Sequence, residues 1–170
     1  MKAYRVHEYG DAAKFIEDEV NKPSAKQGHV VVEVKASSLN PVDHKLLKSD
    51  LGINPALPGI LHMDVAGVIT EVGEGVTAFK TGDEIYGCAG GLQGEAGNIE
   101  GALADFMLAD SNLIALKPKS LSFSESAALP LVTITAWEGL FDRAHIKKED
   151  HVLIHGGAGG VGHIAIQLAR

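Results

Sequence analysis

At 170 residues and 45 % hydrophobic content, the chain is long and apolar enough for one packed domain plus part of a second, which excludes disorder as its main state. Its 15 Lys+Arg against 22 Asp+Glu leave a net charge of −7 without any Lys/Arg-rich stripe, so nucleic acid is not an expected partner. The single cysteine, Cys88, excludes an internal disulfide and a multi-cysteine metal site; with no signal-peptide core and no apolar run near the roughly 20 residues of a membrane helix, a soluble, cytoplasmic protein with no membrane partner is expected.

The first part reads as β-rich. MKAYRVHE alternates, HVVVEVKASSL is dense in β-branched residues, DVAGVITEVG and GDEIYG follow, and ALADFMLAD and NLIALKP close the series. NKPS, INPALPG, GEGV and TGDE punctuate these runs, as in a compact barrel or sandwich of short strands. One helix interrupts them: after Asn40-Pro41, PVDHKLLKSD carries Pro41 in its first turn and ends near Gly52. Residues 88–101, CAGGLQGEAGNIEG, are glycine-rich with few anchors and read as a mobile surface loop.

From Ser122 the texture becomes helical. Ser122-Phe123-Ser124-Glu125 has the spacing of a capping box, and Pro130 restarts or kinks the helix. Ile134, Trp137 and Phe141 then recur at three- and four-residue steps as a core-facing stripe. Beyond HIKKED, HVLIHG is a short apolar run of the buried parallel-strand kind, and VGHIAIQLAR places Val161, Ile164, Ala165 and Leu168 on one helical face. The division expected is a barrel over 1–121 and the beginning of a dinucleotide-binding domain over 122–170.

Between that strand and helix lies Gly157-Ala158-Gly159-Gly160-Val161-Gly162, which satisfies G-x-G-x-x-G. A tight turn needs backbone freedom, a pyrophosphate needs N–H groups unshielded by a Cβ, and the helix N-terminus adds partial positive charge. The strand-turn-helix context is what makes this short pattern worth reading as a phosphate cradle.

The segment 150–170, with its glycine turn, Gln167 and Arg170, resembles the signature of the zinc-free quinone oxidoreductase and zeta-crystallin branch of the medium-chain dehydrogenase/reductase superfamily. Ser38-Leu39-Asn40-Pro41-Val42-Asp43 is similar to that branch's S-x-N-x-x-D segment, and PGILHMDVAG at 58–67 to its P-x-x-x-G-x-D-x-A-G segment. Val72-Gly73 with Gly82-Asp83, and Leu129-Pro130 with Thr135-Ala136-Trp137, extend the match along nearly the whole chain. The resemblance implies a mainly β GroES-like barrel with short helices, followed by the start of a Rossmann domain: helix, first strand, glycine turn, first helix. It implies hydride transfer from the reduced form of NADP or NAD to quinones or α,β-unsaturated carbonyls, with protein groups positioning the reactants and stabilising developing charge. Asn40 and Thr135 would face nicotinamide and substrate as the catalytic pair, Asn40 donating to a carbonyl oxygen; Gly157, Ala158, Gly159, Gly160, Val161 and Gly162 would hold the pyrophosphate. Read from its own residues alone, Asn40 simply starts the helix before Pro41.

Two departures qualify the match. His62 stands where the pattern has glycine, an expected local change in geometry and not a new base. Zinc-dependent relatives have cysteine at the Asn40 position and histidine at the Met63 position; with both absent, and with no four-cysteine lobe, zinc is not expected, and His151 and His155 are read as packing or solvation. The remaining parallel strands, and the residue about 20 positions past the glycines that selects NAD or NADP, are not in these 170 residues. Two functional classes therefore stay open. One is the N-terminal part of an NAD(P)H-dependent reductase; the other is a non-catalytic remnant that binds no dinucleotide tightly and forms a homo-oligomer through its exposed C-terminal strand and helix. In either case the 170-residue chain alone is expected to be inactive.

Overall fold

A computed structural model describes residues 1–94 and 97–170, which divide into two compact units, Met1–Ala128 and Leu129–Arg170. The first unit runs β1 (Lys2–Val6), β2 (Phe15–Glu19), β3 (His29–Ser37), α1 (Pro41–Lys48), β4 (Gly59–Ile60), β5 (Asp64–Val72), β6 (Glu84–Cys88), β7 (Leu92–Gly94), β8 (Gly97–Ile99), β9 (Phe106–Asp110), β10 (Ile114–Leu116) and α2 (Phe123–Ala127). A five-stranded antiparallel sheet has the order β10-β6-β5-β3-β9, and a three-stranded sheet the order β2-β1-β4. They meet where Ala3 bridges Ala104 and the Tyr4 N–H donates to the Leu103 carbonyl at 2.8 Å.

The β-branched density of HVVVEV explains the centre of this unit, because Val30, Val31 and Val32 are all fully buried, as expected of a strand covered on both faces. Val65, Ile69, Ile85, Met107 and Ala109 pack with Val30 and Val32 into one core, while Val6, Leu46 and Leu61 form a second beneath α1. The cap box at α2 forms as its spacing predicts, Ser122 Oγ accepting from the Glu125 N–H at 3.2 Å and the Glu125 carboxylate accepting from the Ser122 N–H at 2.8 Å. α2 packs against β3, β5 and β6 and so belongs to this unit. Ahead of it the nearly buried Lys117 ammonium donates to the Leu121 carbonyl at 2.6 Å and pairs with Glu84 at 3.1 Å.

Two parts of the first unit differ from the sequence expectation. The Phe15–Glu19 strand carries only two apolar residues, both 37 % exposed, so it has no periodic signal; its place comes from antiparallel pairing with β1. The stretch 88–101, expected as a mobile loop, contains the β7–β8 ladder instead, although Glu95 and Ala96 lie outside the described residues. Its glycines serve close backbone approach: a Cβ on Gly101 would stand 2.0 Å from the Leu61 carbonyl oxygen, and the Gly101 N–H donates to the Ile60 carbonyl at 2.9 Å.

The second unit holds α3 (Pro130–Trp137), a π-helical turn over Glu138–Arg143 and α4 (Gly160–Leu168). Pro130 starts α3 at its first position, where the missing N–H costs nothing. The unit's core is Ala136, Leu140, Ile164 and Ala165. Of the Ile134/Trp137/Phe141 stripe only Phe141 packs on this core: Ile134 is 56 % and Trp137 51 % exposed in this unit, and the Trp137 ring meets Phe141 at a tilt of 48° with centroids 4.5 Å apart. This segment is apolar almost all round, so periodicity could not choose the face; the small Ala136 lets α4 approach and makes the choice. HVLIHG is not a strand either. Leu153 is 81 % exposed, and residues 151–154 have no ladder partner among the described residues, without which an apolar run has no strand hydrogen bonds to make.

Candidate functional site

In the first unit, the ends of β3 and α1 and the start of β5 bring polar side chains into an otherwise apolar interior. Asn40 is 6 % exposed, Asp43 1 % and Asp64 0 %. Asn40 is the N-cap of α1 with extended backbone (φ −113°, ψ 158°), and its N–H donates to Asp43 Oδ2 at 2.7 Å while the Asp43 N–H returns to the Asn40 carbonyl at 3.0 Å. The main chain of Asn40 thus serves the helix, and its amide nitrogen turns elsewhere. Nδ2 donates to Asp64 Oδ2 at 2.8 Å and approaches Ser38 Oγ at 3.3 Å, while the Ser38 hydroxyl donates to the same Asp64 oxygen at 2.8 Å.

His62 borders this cluster. Its φ of +72° places it in the left-handed region that glycine occupies without strain, so the sequence departure is accommodated at a backbone cost. The ring Nδ1 lies 3.0 Å from Ser37 Oγ, and Phe15 stands edge-on with centroids 6.2 Å away. Burial holds the imidazole below its usual pKa, opposed by the Asp43 and Asp64 carboxylates. Asp43 is displaced in the other sense: burial raises its carboxyl, opposed by the Asn40 N–H and by His62. Its Oδ1 is buried without a hydrogen-bond partner among the described residues. Cys88, paired with Asp64 across the β5–β6 ladder, has its thiol pushed up to about 12 by burial and then by the Asp64 charge and hydrogen bond, so it is an inert thiol at neutral pH. Among the described residues no three His, Cys, Asp or Glu side chains are grouped to hold a metal ion.

Thr135 belongs to the second unit, in the exposed middle of α3, where its hydroxyl donates to the Leu131 carbonyl at 2.8 Å. The glycine turn is in the same unit. Gly156 has φ +71°, the Gly159 N–H donates to the Gly156 carbonyl at 2.8 Å, and Gly159 caps α4. A Cβ on Gly162 would stand 2.2 Å from the Gly156 carbonyl oxygen, so the chain crosses itself at van der Waals distance and only glycine fits. Gly160 and Val161 are exposed at the first turn of α4, where helix N–H groups have no intrahelical acceptor. The turn fits a phosphate at one place, the exposed Gly160 and Val161 backbone at the positive end of a nine-residue helix.

Ser38 and Asp64 were visible as letters of the S-x-N-x-x-D and G-x-D-x-A-G patterns, but no role attached to them, because one-dimensional spacing does not reveal that 24 residues of chain return Asp64 to Asn40. No helix among the described residues is long and apolar enough to cross a membrane.

Residues 26–119 match the family described as the alcohol dehydrogenase GroES-like domain. Over its whole length the chain is 42 % identical to a 2-methylene-furan-3-one reductase of Solanum lycopersicum and 38 % identical to a chloroplastic NADPH-dependent alkenal/one oxidoreductase of Arabidopsis thaliana, covering 44 % of each. The solved quinone oxidoreductase from Coxiella burnetii superposes on 99 % of the chain with a TM-score of 0.81 and 32 % identity, and 53 % of that protein is covered. The chain thus spans about half the length of the relatives it matches. With a five-stranded antiparallel sheet, short helices and this sequence match over 26–119, the chain belongs to the alcohol dehydrogenase GroES-like domain family.

Proposed function

We propose that this chain supplies the GroES-like part and the first cofactor-binding turn of an NADPH-dependent oxidoreductase that reduces quinones or α,β-unsaturated carbonyls. The observation that supports the reading is the Gly156–Gly162 crossing at the head of α4, where only glycine lets the helix start pack on the turn, as in a dinucleotide-binding strand-turn-helix. The names of its relatives, an enone reductase, an NADPH-dependent alkenal/one oxidoreductase and a quinone oxidoreductase, support the substrate class and favour NADP over NAD.

When bound, the nicotinamide supplies a hydride to an electrophilic carbon. The remaining work falls to the chain's own groups. The backbone of residues 157–162 would hold the pyrophosphate through the N–H groups at the first turn of α4, the Gly159 N–H being spent on the Gly156 carbonyl. Asn40 of the first unit and Thr135 of the second are the side chains that the family pattern assigns to nicotinamide and substrate, and neither titrates, so the contribution proposed for each is position and polarity. Zinc has no part in this reading, because Asn40 and Met63 stand at the ligand positions of zinc-dependent relatives. The single cysteine, which leaves no partner for an internal disulfide, supports a reducing, cytoplasmic setting.

The second unit has no strand among its described residues, and a dinucleotide site is built on a parallel sheet. Accordingly, 9,10-phenanthrenequinone-dependent oxidation of NADPH is expected from the full-length gene product and not from the isolated 170 residues. In the full-length protein, Asn40→Leu and Gly162→Val should each lower kcat/KM at least about tenfold, a loss of about 1.4 kcal/mol in transition-state binding. Wild-type-like turnover in both variants would remove Asn40 and the glycine turn from the site.

A further inference from the structure

We propose that the cleft between the β2-to-β3 connection and the β8-to-β9 segment is a binding site for a small aliphatic zwitterion of the amino-acid class, whose carboxylate meets Lys26 and whose ammonium meets Glu100. The cleft lies wholly in the first unit and shares no residue with the Asn40–Asp64 cluster or the glycine turn. Its volume of about 510 Å³ falls within the roughly 300–1,000 Å³ of small-molecule sites. Pro23, Ile99 and Leu108 give it apolar walls for an aliphatic body.

One wall is held in place before any ligand arrives. Residues 21–28 form neither helix nor strand, yet the Ala25 N–H donates to Glu71 Oε2 at 3.3 Å and the Gly28 N–H to the Glu74 carbonyl at 2.8 Å. The Gly28 carbonyl in turn accepts from the Ser111 hydroxyl at 2.8 Å. Lys22 is consumed by the same anchoring, since its ammonium pairs with Glu71 at 2.9 Å and stands 4.5 Å from the centre of the Phe106 ring. A ligand therefore does not have to order this wall in order to bind.

What the anchoring leaves unspent defines the ligand. The Lys26 ammonium and the Glu100 carboxylate both line the cleft, and among the described residues neither has a hydrogen bond or ion pair, with each other or with a third group. The Asn21 amide and the Ser24 hydroxyl add uncommitted donors beside them. His29 adds an acceptor: its Nδ1 lies 2.8 Å from the Gln27 carbonyl, which can only accept, so in the neutral ring Nδ1 carries the proton and Nε2 keeps a lone pair. A plain anion would answer Lys26 but oppose Glu100, and a plain cation the reverse. A ligand with one charge of each sign satisfies both.

The test is a titration of the 15N-labelled 170-residue chain, read by 15N–1H NMR. L-leucine carries its two charges on one carbon and 6-aminohexanoate carries them at opposite ends of its chain; hexanoate and hexylamine carry one charge each. At least one of the two zwitterions should shift the Lys26, His29 and Leu108 amide signals with a Kd at least about tenfold below those of hexanoate and hexylamine. Which of the two does so reports the spacing of Lys26 and Glu100. Lys26→Gln and Glu100→Gln, both at exposed positions, should each weaken that zwitterion about fivefold. The exchange of charges, Lys26→Glu with Glu100→Lys, should recover most of the affinity. No saturable shift with either zwitterion overturns the proposal, and so does hexanoate or hexylamine binding as tightly as the better zwitterion. Binding is read without turnover, so the outcome is independent of whether the full-length protein reduces quinones or enones.

Discussion

The residues of the buried polar cluster divide into those that titrate usefully and those that do not. Cys88 is held protonated by burial and by Asp64, so at pH 8 the native chain should label with iodoacetamide far more slowly than the urea-unfolded chain; equal rates would show the thiol to be exposed and the Asp64 contact absent. The same shift has a stability consequence. The folded chain binds the thiol proton more tightly than the unfolded one, so this contribution is complete below the unfolded thiol pKa of about 8.5 and is lost as the pH rises toward the folded value. A urea series from pH 8 to 10 on the wild type and Cys88→Ser should show the wild type losing stability more steeply. His62 poses a backbone question. Because its φ is +72°, His62→Gly should be more stable than His62→Ala by about 1 kcal/mol, since alanine keeps the left-handed strain and loses the same ring contacts; urea midpoints that rank them the other way would mean the strain is relieved elsewhere.

At the level of elements, α4 and its turn show what a glycine pattern can and cannot say. Only Gly162 of the turn is required by a backbone crossing, whereas Gly139 in the π-helical turn has open space around its missing Cβ. Gly162→Ala should therefore destabilise the chain by about 2 kcal/mol through forced displacement of the Gly156 carbonyl, while Gly139→Ala should be neutral or stabilising by up to about 1 kcal/mol. Thermal or denaturant melts of the two variants provide the comparison, and similar losses would mean that Gly162 has room to move. The helix starts at Ser122 and Pro130 were legible because capping and proline chemistry are local, acting within one turn. The outer strand Phe15–Glu19 and the β7–β8 ladder were not, because their residues carry no alternation and their pairing partners lie elsewhere in the chain.

For the whole molecule, the two units differ in how completely they bury their apolar residues. The first encloses two cores, whereas Val152, Leu153 and Ile166 of the second are 39 %, 81 % and 45 % exposed. Apolar exposure of that kind favours association, so the 170-residue chain should show a mass that rises with concentration in sedimentation equilibrium. A concentration-independent monomer would mean that these side chains are tolerated in water. Substituting Leu153→Glu should shift that equilibrium toward monomer without affecting the first unit.

By itself the sequence determined the strands from His29 to Ser37 and Asp64 to Val72, the helix after Asn40-Pro41, the caps at Ser122 and Pro130, and the glycine turn that opens α4, since propensity, capping and glycine geometry are properties of neighbouring residues. It also pointed to the family, because Ser38, Asn40, Asp43 and Asp64 recur in its patterns. Only the tertiary structure decided that Asp64 holds the Asn40 amide, that Cys88 is locked as a thiol, that Ala136 and not Trp137 faces α4, and that HVLIHG is no strand without a partner. Each of these depends on what a distant segment brings within hydrogen-bonding or packing distance, and strand identity above all is a relation between two stretches of chain.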